Sequence, residues 1–338
     1  MDKRQRAIQA FLQAAGWDTA ARRVLAGDAS PRRYDRLTRA KPPFQAVLMD
    51  APKDKGEDIR PFVSVARYLL ETGFSAPAIY AADETLGLLL LEDLGDDLYA
   101  RICIGQPRLE PLLYRRAIEV LADLQAQKTL PDVPPYDGET YLREACLLTD
   151  WYLPAATGRE TGAALRDDYR ALIAAACQAV EPERPCLVLR DYHAENLIWL
   201  PDRAAAGQVG LLDFQDALIG HPAYDLVSLL EDARRDTGPD LRQAMVRHFL
   251  DITGLDEAAF LQAYSTLGAQ RNLKIVGIFA RLWLRDGKPA YLDKIPRVWA
   301  HLMNDLKHPS LAALNDWVTR HVPAPSSTIL NRIRGAGS

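Results

Sequence analysis

Nothing in these 338 residues is apolar for long enough to cross a bilayer; the most apolar run, Leu86 to Leu91, has the length of a buried strand. The opening Met1-Asp2-Lys3-Arg4-Gln5-Arg6 leads into an amphipathic stretch and lacks a signal-peptide core. Cysteine is scarce. The four present (Cys103, Cys146, Cys177, Cys186) show no Cys-x-x-Cys spacing and no histidine at zinc-finger distance, so reduced thiols in a cytoplasmic protein are expected. No His-Glu-x-x-His occurs, which argues against a zinc enzyme. Excess positive charge is missing as well. With 41 Lys and Arg against 45 Asp and Glu, the net charge of −4 gives no footprint for nucleic acid, and an anionic substrate must be met by local Arg or Lys groups. No internal repeat or low-complexity tract is present. What remains is 48% hydrophobic and 25% charged, an ordinary globular composition long enough for two lobes with separate cores.

One segment carries chemistry. Leu189 to Asn196 reads Leu-Arg-Asp-Tyr-His-Ala-Glu-Asn, and Asp213-Phe214 follows after a short apolar stretch. An Asp, an Asn five residues on, and a later Asp-Phe form the catalytic-loop and metal-loop pattern of phosphoryl-transfer enzymes. One carboxylate accepts the proton of the attacking hydroxyl. An amide oxygen and a second carboxylate hold Mg²⁺ against the nucleotide phosphates. The flanks support this reading, because Cys186–Leu189, Leu197–Leu200 and Val209–Leu212 look like short strands, each delivering a polar residue. Asp191 is the expected base, and Asn196 with Asp213 the expected Mg²⁺ ligands. His193 is expected to pack within the loop. Asp225 opens a helix and is expected to brace the loop.

The chain around this segment has a consistent order. Residues 3–15 have helical spacing, and strand-like pieces follow at 21–25, 34–38 and 44–49. Pro61 opens a helix closed by Gly73, and strands are expected at 78–81 and 86–91. Glu92 to Asp97 is a polar break expected to act as a hinge. From 108 onward the pattern is mainly helical, with stretches at 140–152, 165–180, 223–235, 239–251, 257–284 and 293–320. These patterns predict a small sheet-and-helix lobe over 1–93, a mainly helical lobe over 94–322 and a frayed tail over 323–338. With a phosphoryl-transfer loop in the second, the first is expected to be the nucleotide-covering lobe and the second the catalytic and acceptor-binding one.

With Asp191, His193, Asn196, Asp213 and the run Gly220-His221-Pro222-Ala223-Tyr224-Asp225-Leu226, the chain resembles the aminoglycoside phosphotransferase and choline kinase group. The resemblance implies an α+β, bilobal, protein-kinase-like fold with a small β-rich lobe and a larger helical one, and it implies ATP and Mg²⁺ as cofactors. It places the nucleotide among Val47, the Leu89–Leu91 run, Ile198 and Leu212, with main-chain bonds from Glu92, Asp93 and Leu94. The group's loop reads His-Gly-Asp-x-His-x-x-Asn, whereas Leu189 and Arg190 fill its first two places here. The group also has a lysine in the third strand where this chain has Met49. The turn Gly27-Asp28-Ala29-Ser30-Pro31-Arg32-Arg33-Tyr34 covers the phosphates in that fold, so Arg32 or Arg33 is the expected replacement, a guanidinium being able to clamp two phosphate oxygens.

Gly-Asp-Ala-Ser-x-Arg-Arg-Tyr, Leu-Glu-Asp-Leu-Gly-Asp and the stretch from Leu273 to Pro289 narrow the resemblance to the bacterial anomeric kinases of cell-wall recycling, which act on N-acetylmuramate and N-acetylglucosamine. The implied partner is then a small amino sugar, with no nucleic acid and no membrane. Tyr141, Glu144 and Trp151 suit a pyranose ring, although a core helix with one buried acid would show the same stripe. Lys274, Arg281 or Arg285 could meet an acceptor carboxylate or pair with Asp286 or Glu144. An aminoglycoside or other small-molecule kinase and a non-catalytic kinase-like binding module remain the alternatives.

Overall fold

The computed structural model describes residues 3–25 and 31–337, so Gly27 to Ser30 of the expected phosphate-covering turn lie outside the described residues. Helix α1 (Lys3–Ala14) is followed by strands β1 (Ala21–Val24), β2 (Arg33–Thr38) and β3 (Gln45–Asp50). Helix α2 (Arg60–Glu71), strands β4 (Ile79–Asp83) and β5 (Leu88–Leu91), and helices α3 (Tyr99–Gly105) and α4 (Glu110–Gln125) come next. Then follow α5 (Gly138–Ala145), α6 (Leu153–Thr157), α7 (Ala163–Gln178) and β6 (Cys186–Val188). After β7 (Leu197–Trp199), β8 (Val209–Leu211) and β9 (Leu218–Gly220), the remainder is helical: α8 (Ala223–Leu230), α9 (Pro239–Thr253), α10 (Glu257–Leu284), α11 (Ile295–Asp305), α12 (Ala312–His321) and α13 (Ser327–Ala336).

Two compact units result. The first is residues 1–120 with 195–217, and the second is 121–194 with 218–338. A boundary at residue 93 was expected. Packing draws it elsewhere because the β7–β8 hairpin bonds to the first unit: Leu98 bridges Ile198, Ser75 bridges Gly210, and the Leu211 N–H donates to the Ser75 carbonyl at 2.8 Å.

In the first unit, five antiparallel strands run in the order β1-β2-β3-β5-β4. Alternation along a strand sends successive side chains to opposite faces. Leu37, Ala46, Leu48, Leu88 and Leu90 therefore share one face and pack with Ile8, Phe11, Leu12 and Trp17 of the α1 region. The opposite face carries Arg36, Val47, Met49, Leu89 and Leu91, through the pairs Arg36–Val47, Tyr34–Met49, Val47–Leu91 and Met49–Leu89. Strand β5 is apolar at every position because both of its faces are covered.

The second unit is built around α10. Its Gly277 lies so close to the Leu147 backbone that a Cβ there would overlap it, which is why this long helix has no side chain at that level. The helix expected over 140–152 breaks: α5 ends at Ala145 and residues 148–152 widen into a π turn before α6. Insertions of this kind recur at functional sites. The tail expected to fray is instead ordered as α13. Ser326 caps it by accepting from the Ile329 N–H, Leu330 and Ile333 are buried, Arg332 donates to the Ala156 carbonyl at 2.7 Å, and the Trp283 indole donates to the Ile333 carbonyl at 3.0 Å. Its apolar positions 329, 330 and 333 form a helical face that the Ser, Pro and Gly content conceals. All four cysteines are free and buried.

Candidate active site

In the first unit, β7 and β8 form a two-stranded antiparallel ladder whose Leu197–Leu211 end delivers both Asn196 and Asp213. The Leu212 N–H donates to the Asn196 carbonyl at 3.0 Å and extends the pairing at that end. Asn196 Nδ2 lies 3.4 Å from Asp213 Oδ2, and Gln215 Nε2 donates to Asp213 Oδ1 at 2.8 Å. Asp213 adopts a left-handed backbone with φ of 59°. For a residue with a Cβ, such a conformation persists only where its surroundings impose it. Phe214 supplies part of that constraint, being fully buried and stacked on Phe62 of α2 at 4.8 Å between centroids.

This pair suits a hard divalent cation. Asn196 and Asp213 offer oxygen donors, and Gln215 Oε1 beside them is buried with no hydrogen-bond partner. No cluster of three or more His, Cys, Asp or Glu able to hold a metal occurs among the described residues. Magnesium does not need one, since it binds through one or two carboxylates plus phosphate and water oxygens.

The two candidate arginines of the turn separate. Arg32 Nε donates to Glu57 Oε2 at 2.6 Å, with both side chains largely buried. Burial opposes the Arg32 charge, but the Glu57 bond and the fields of Tyr34, Glu57 and Asp216 outweigh it and raise its pKa. By strand parity Arg32 belongs to the face of Arg36, Val47 and Met49. Arg33 belongs to the other, where it lines a cavity of about 440 Å³ with Gln5, Ile8, Arg22 and Asp35. Met49 is buried at 1% exposure and supplies no charge. Glu57 was missed by sequence reasoning; an acid just ahead of the Pro61 helix was its only signal.

The segment after β5 is tied down by side chains. Arg36 pairs with Asp93 at 2.6 Å and donates to Asp96 at 2.6 Å, and its pKa is raised chiefly by the Asp96 bond. Glu92 takes Arg203 at 2.6 Å, and its N–H donates to the Ala78 carbonyl at 2.8 Å. Leu94 and Ile198 are buried, both within reach of Gly210, whereas Val47 and Leu212 are half-buried.

The second unit holds Asp191 on a turn. Its N–H donates to the Leu189 carbonyl at 2.8 Å, and Arg190 between them has φ of 69°. An i to i+2 bond around a positive φ is a γ-turn, a strained form that costs a residue with a Cβ about 1–3 kcal/mol. The fully buried Asp225 accepts from the Leu189 N–H at 2.6 Å and the Arg190 N–H at 2.8 Å, while Ser228 Oγ donates to the Arg190 carbonyl at 3.0 Å. Burial pushes the Asp225 pKa up to about 7, against the pull of the two backbone N–H groups. His193 is buried with Arg234 at 3.1 Å from its Nε2. Burial first, then Arg234, Arg271 and Lys294, depress its pKa far below the usual imidazole range, which makes it a poor base.

Glu144 sits in a charged network. One of its oxygens takes Arg190, and the other takes Lys274 at 2.9 Å and the Tyr136 hydroxyl. Burial opposes its charge, but Lys274 and Arg190 outweigh that and lower its pKa. Tyr136 and Tyr224 join by their hydroxyls at 2.9 Å. Trp151 stands half-exposed on the π turn. Arg281 lies on the same helical side of α10 as Lys274 and Gly277; its Nε is buried with no hydrogen-bond partner, and its pKa is lowered by burial and by Arg285.

Residues 21–261 match the model of the phosphotransferase enzyme family. The chain belongs to that family. It is 40% identical to an N-acetylmuramate/N-acetylglucosamine kinase of Caulobacter vibrioides, over 95% of this chain and 97% of the relative. Proteins of the same name in Pseudomonas aeruginosa and Neisseria meningitidis are 35% and 34% identical, over 86% and 82% of this chain and 85% and 83% of theirs. Among solved structures it is similar to an aminoglycoside phosphotransferase-like protein of Ralstonia eutropha, with a TM-score of 0.63 at 16% identity over 94% of this chain and 99% of that one. A choline/ethanolamine kinase family protein of Mesorhizobium loti gives 0.62 at 15% identity, over 98% of both chains. The family's fold is therefore that of the aminoglycoside phosphotransferases, with an antiparallel sheet in the first unit and a mostly helical second unit.

Proposed function

We propose that the chain is an ATP-dependent kinase that phosphorylates N-acetylmuramate and N-acetylglucosamine on the anomeric hydroxyl, in cytoplasmic recycling of cell-wall sugars. The observation that carries the acceptor is the single name shared by relatives at 34–40% identity that align over 82% or more of this chain. In this reading Asp191 takes the proton of the anomeric hydroxyl as its oxygen bonds to the γ-phosphorus. The bond from that phosphorus to the bridging oxygen breaks and ADP leaves. Asp191 acts mainly by orientation, since positioning contributes more than base strength to such a loose transition state.

Asn196 and Asp213 are the residues that would hold Mg²⁺, which neutralises charge on the β- and γ-phosphates when bound. Arg32, kept charged by Glu57, stands in for the lysine that Met49 displaces. Val47, Leu89, Leu91, Ile198 and Leu212 cover the nucleotide base. With the Glu92 N–H taken by Ala78, the Glu92 carbonyl and the Leu94 N–H are the main-chain groups assigned to that base. Trp151 stacks on the sugar, and Arg281 meets the carboxylate that muramate has and glucosamine lacks.

An aminoglycoside acceptor fits less well. A polycation needs exposed acids; Glu231 and Asp232 are buried at 3% and 1% exposure, and the exposed Asp236 follows directly on Arg234 and Arg235. Phosphorus NMR of the product tests the proposal: a phosphate coupled to the anomeric proton is expected with both sugars. Phosphate on position 6, or turnover confined to aminoglycosides, would overturn it.

A further inference from the structure

We propose that Arg190 is the positioning residue for Asp191, its side chain locking the γ-turn through Glu144 and Lys274. The inference rests on Asp191 being the base. The backbone angles of residue 190 set where the next side chain is aimed, and here they lie in a region that glycine enters freely and arginine does not. Residue 190 is gripped at three points. Asp225 of α8 takes its N–H, and Ser228 of α8, itself held by Arg271 of α10 at 2.8 Å, donates to its carbonyl. Glu144 of α5 takes its guanidinium, which also lies 5.3 Å from the centre of the Tyr136 ring.

The third grip is what an arginine adds. Glu144 is itself fixed by Lys274 of α10 and by the Tyr136 hydroxyl, and Lys274 is held in turn by the Tyr224 hydroxyl at 3.1 Å. Relaxing the turn to an ordinary negative φ would break all three attachments at once. Burying two cations around one carboxylate is not required for folding, since apolar groups of equal volume commonly serve as well or better. It does supply directional bonds from two helices to the one peptide that aims the base.

Four variants test this: Arg190→Gly, which accepts the turn without strain, Arg190→Lys, Glu144→Gln and Lys274→Met. Arg190→Gly is expected to lower kcat by about tenfold to a hundredfold, the scale of a small misplacement of a reacting group. KM for ATP should stay within about twofold, because the Arg190 grip does not touch the nucleotide residues. Arg190→Lys should restore part of kcat. The double variant Arg190→Gly with Glu144→Gln should lose no more than the worse single, as groups acting in one chain of contacts are not additive. Hydrogen exchange of residues 187–194 reads the same grip without any substrate, and should speed up in Glu144→Gln and Lys274→Met. Wild-type kcat in Arg190→Gly, multiplying losses in the double variant, or unchanged exchange would each overturn the proposal. Failure of the wild-type chain to phosphorylate either sugar would instead overturn the acceptor reading, and the exchange data would still decide the role of Arg190.

Discussion

Arg32 and Glu57 meet at 2.6 Å through Nε and Oε2, on the sheet side that carries the buried, uncharged Met49. Arg32→Ala should therefore weaken ATP binding by roughly tenfold or more, a charge-assisted bond being worth about 1.5–3 kcal/mol. Glu57→Gln should weaken it in the same direction and by less, because the guanidinium keeps its charge but loses its aim. Titration calorimetry with Mg·ATP reads both. Two unchanged affinities would assign the phosphates to another cation, with Lys53 and Lys55 the next candidates.

Asp213→Asn and Asp191→Asn should each cut turnover by orders of magnitude, for separable reasons. Asp213 brings the charge of the proposed metal pair, so its loss should weaken Mg·ATP binding. Asp191 is assigned to the acceptor hydroxyl, so its variant should bind nucleotide nearly as the wild type does. Turnover within a few-fold of wild type for Asp191→Asn would remove it from the base role.

Much of this was readable from the chain. The Asp191, Asn196 and Asp213 spacing picked out the loop because residue type and position both follow from the chemistry, and the strands β1 to β3 followed from short runs set off by Gly- and Pro-containing turns. Other features depend on geometry that no local pattern encodes. Glu57 lies far from Arg32 in sequence, and Asn196 and Gln215 both meet Asp213. Strand parity could have separated Arg32 from Arg33, but it needed the register that starts β2 at Arg33. The π turn at 148–152 was invisible because apolar spacing cannot tell a helix from one widened by a residue. The arginine at 190 was legible as a departure, while its left-handed backbone was not.

Arg281→Gln should raise KM for N-acetylmuramate by about tenfold and leave that for N-acetylglucosamine within twofold, since only the first acceptor carries a carboxylate. The buried, unpartnered Nε of Arg281 is the observation behind this. Equal losses on both sugars would remove Arg281 from acceptor discrimination.

His221 gives a pH dependence of stability. Its Nδ1 accepts from the Ala223 N–H at 3.0 Å, and burial pushes its pKa down to about 4. Unfolded histidine titrates near about 6.5, so between those values the unfolded chain binds a proton that the folded chain refuses. The contribution is present in full above that upper value and is lost as pH falls toward 4. It amounts to roughly 3 kcal/mol, at about 1.4 kcal/mol per pH unit. Asp225, raised to about 7, works the other way over an overlapping window, because the folded chain there binds the extra proton. His221→Asn keeps an acceptor for the Ala223 N–H and removes the titration. Thermal melts should show wild type losing ground to this variant as pH falls from 6.5 to 4. A constant difference in Tm across that range would refute the linkage.

Neither compact unit is continuous in sequence, and this constrains how the chain can acquire its structure on the ribosome. The first unit's five-stranded sheet ends at Leu91, but the unit also needs the β7–β8 hairpin and is not complete until residue 217 has been made. The second needs α13, since the Ala156 carbonyl and the Trp283 indole find partners in residues 332 and 333. Strict domain-by-domain folding during synthesis is thus closed to this chain. Its nascent form must hold the five-stranded sheet without the β7–β8 hairpin while most of the second unit is still being translated.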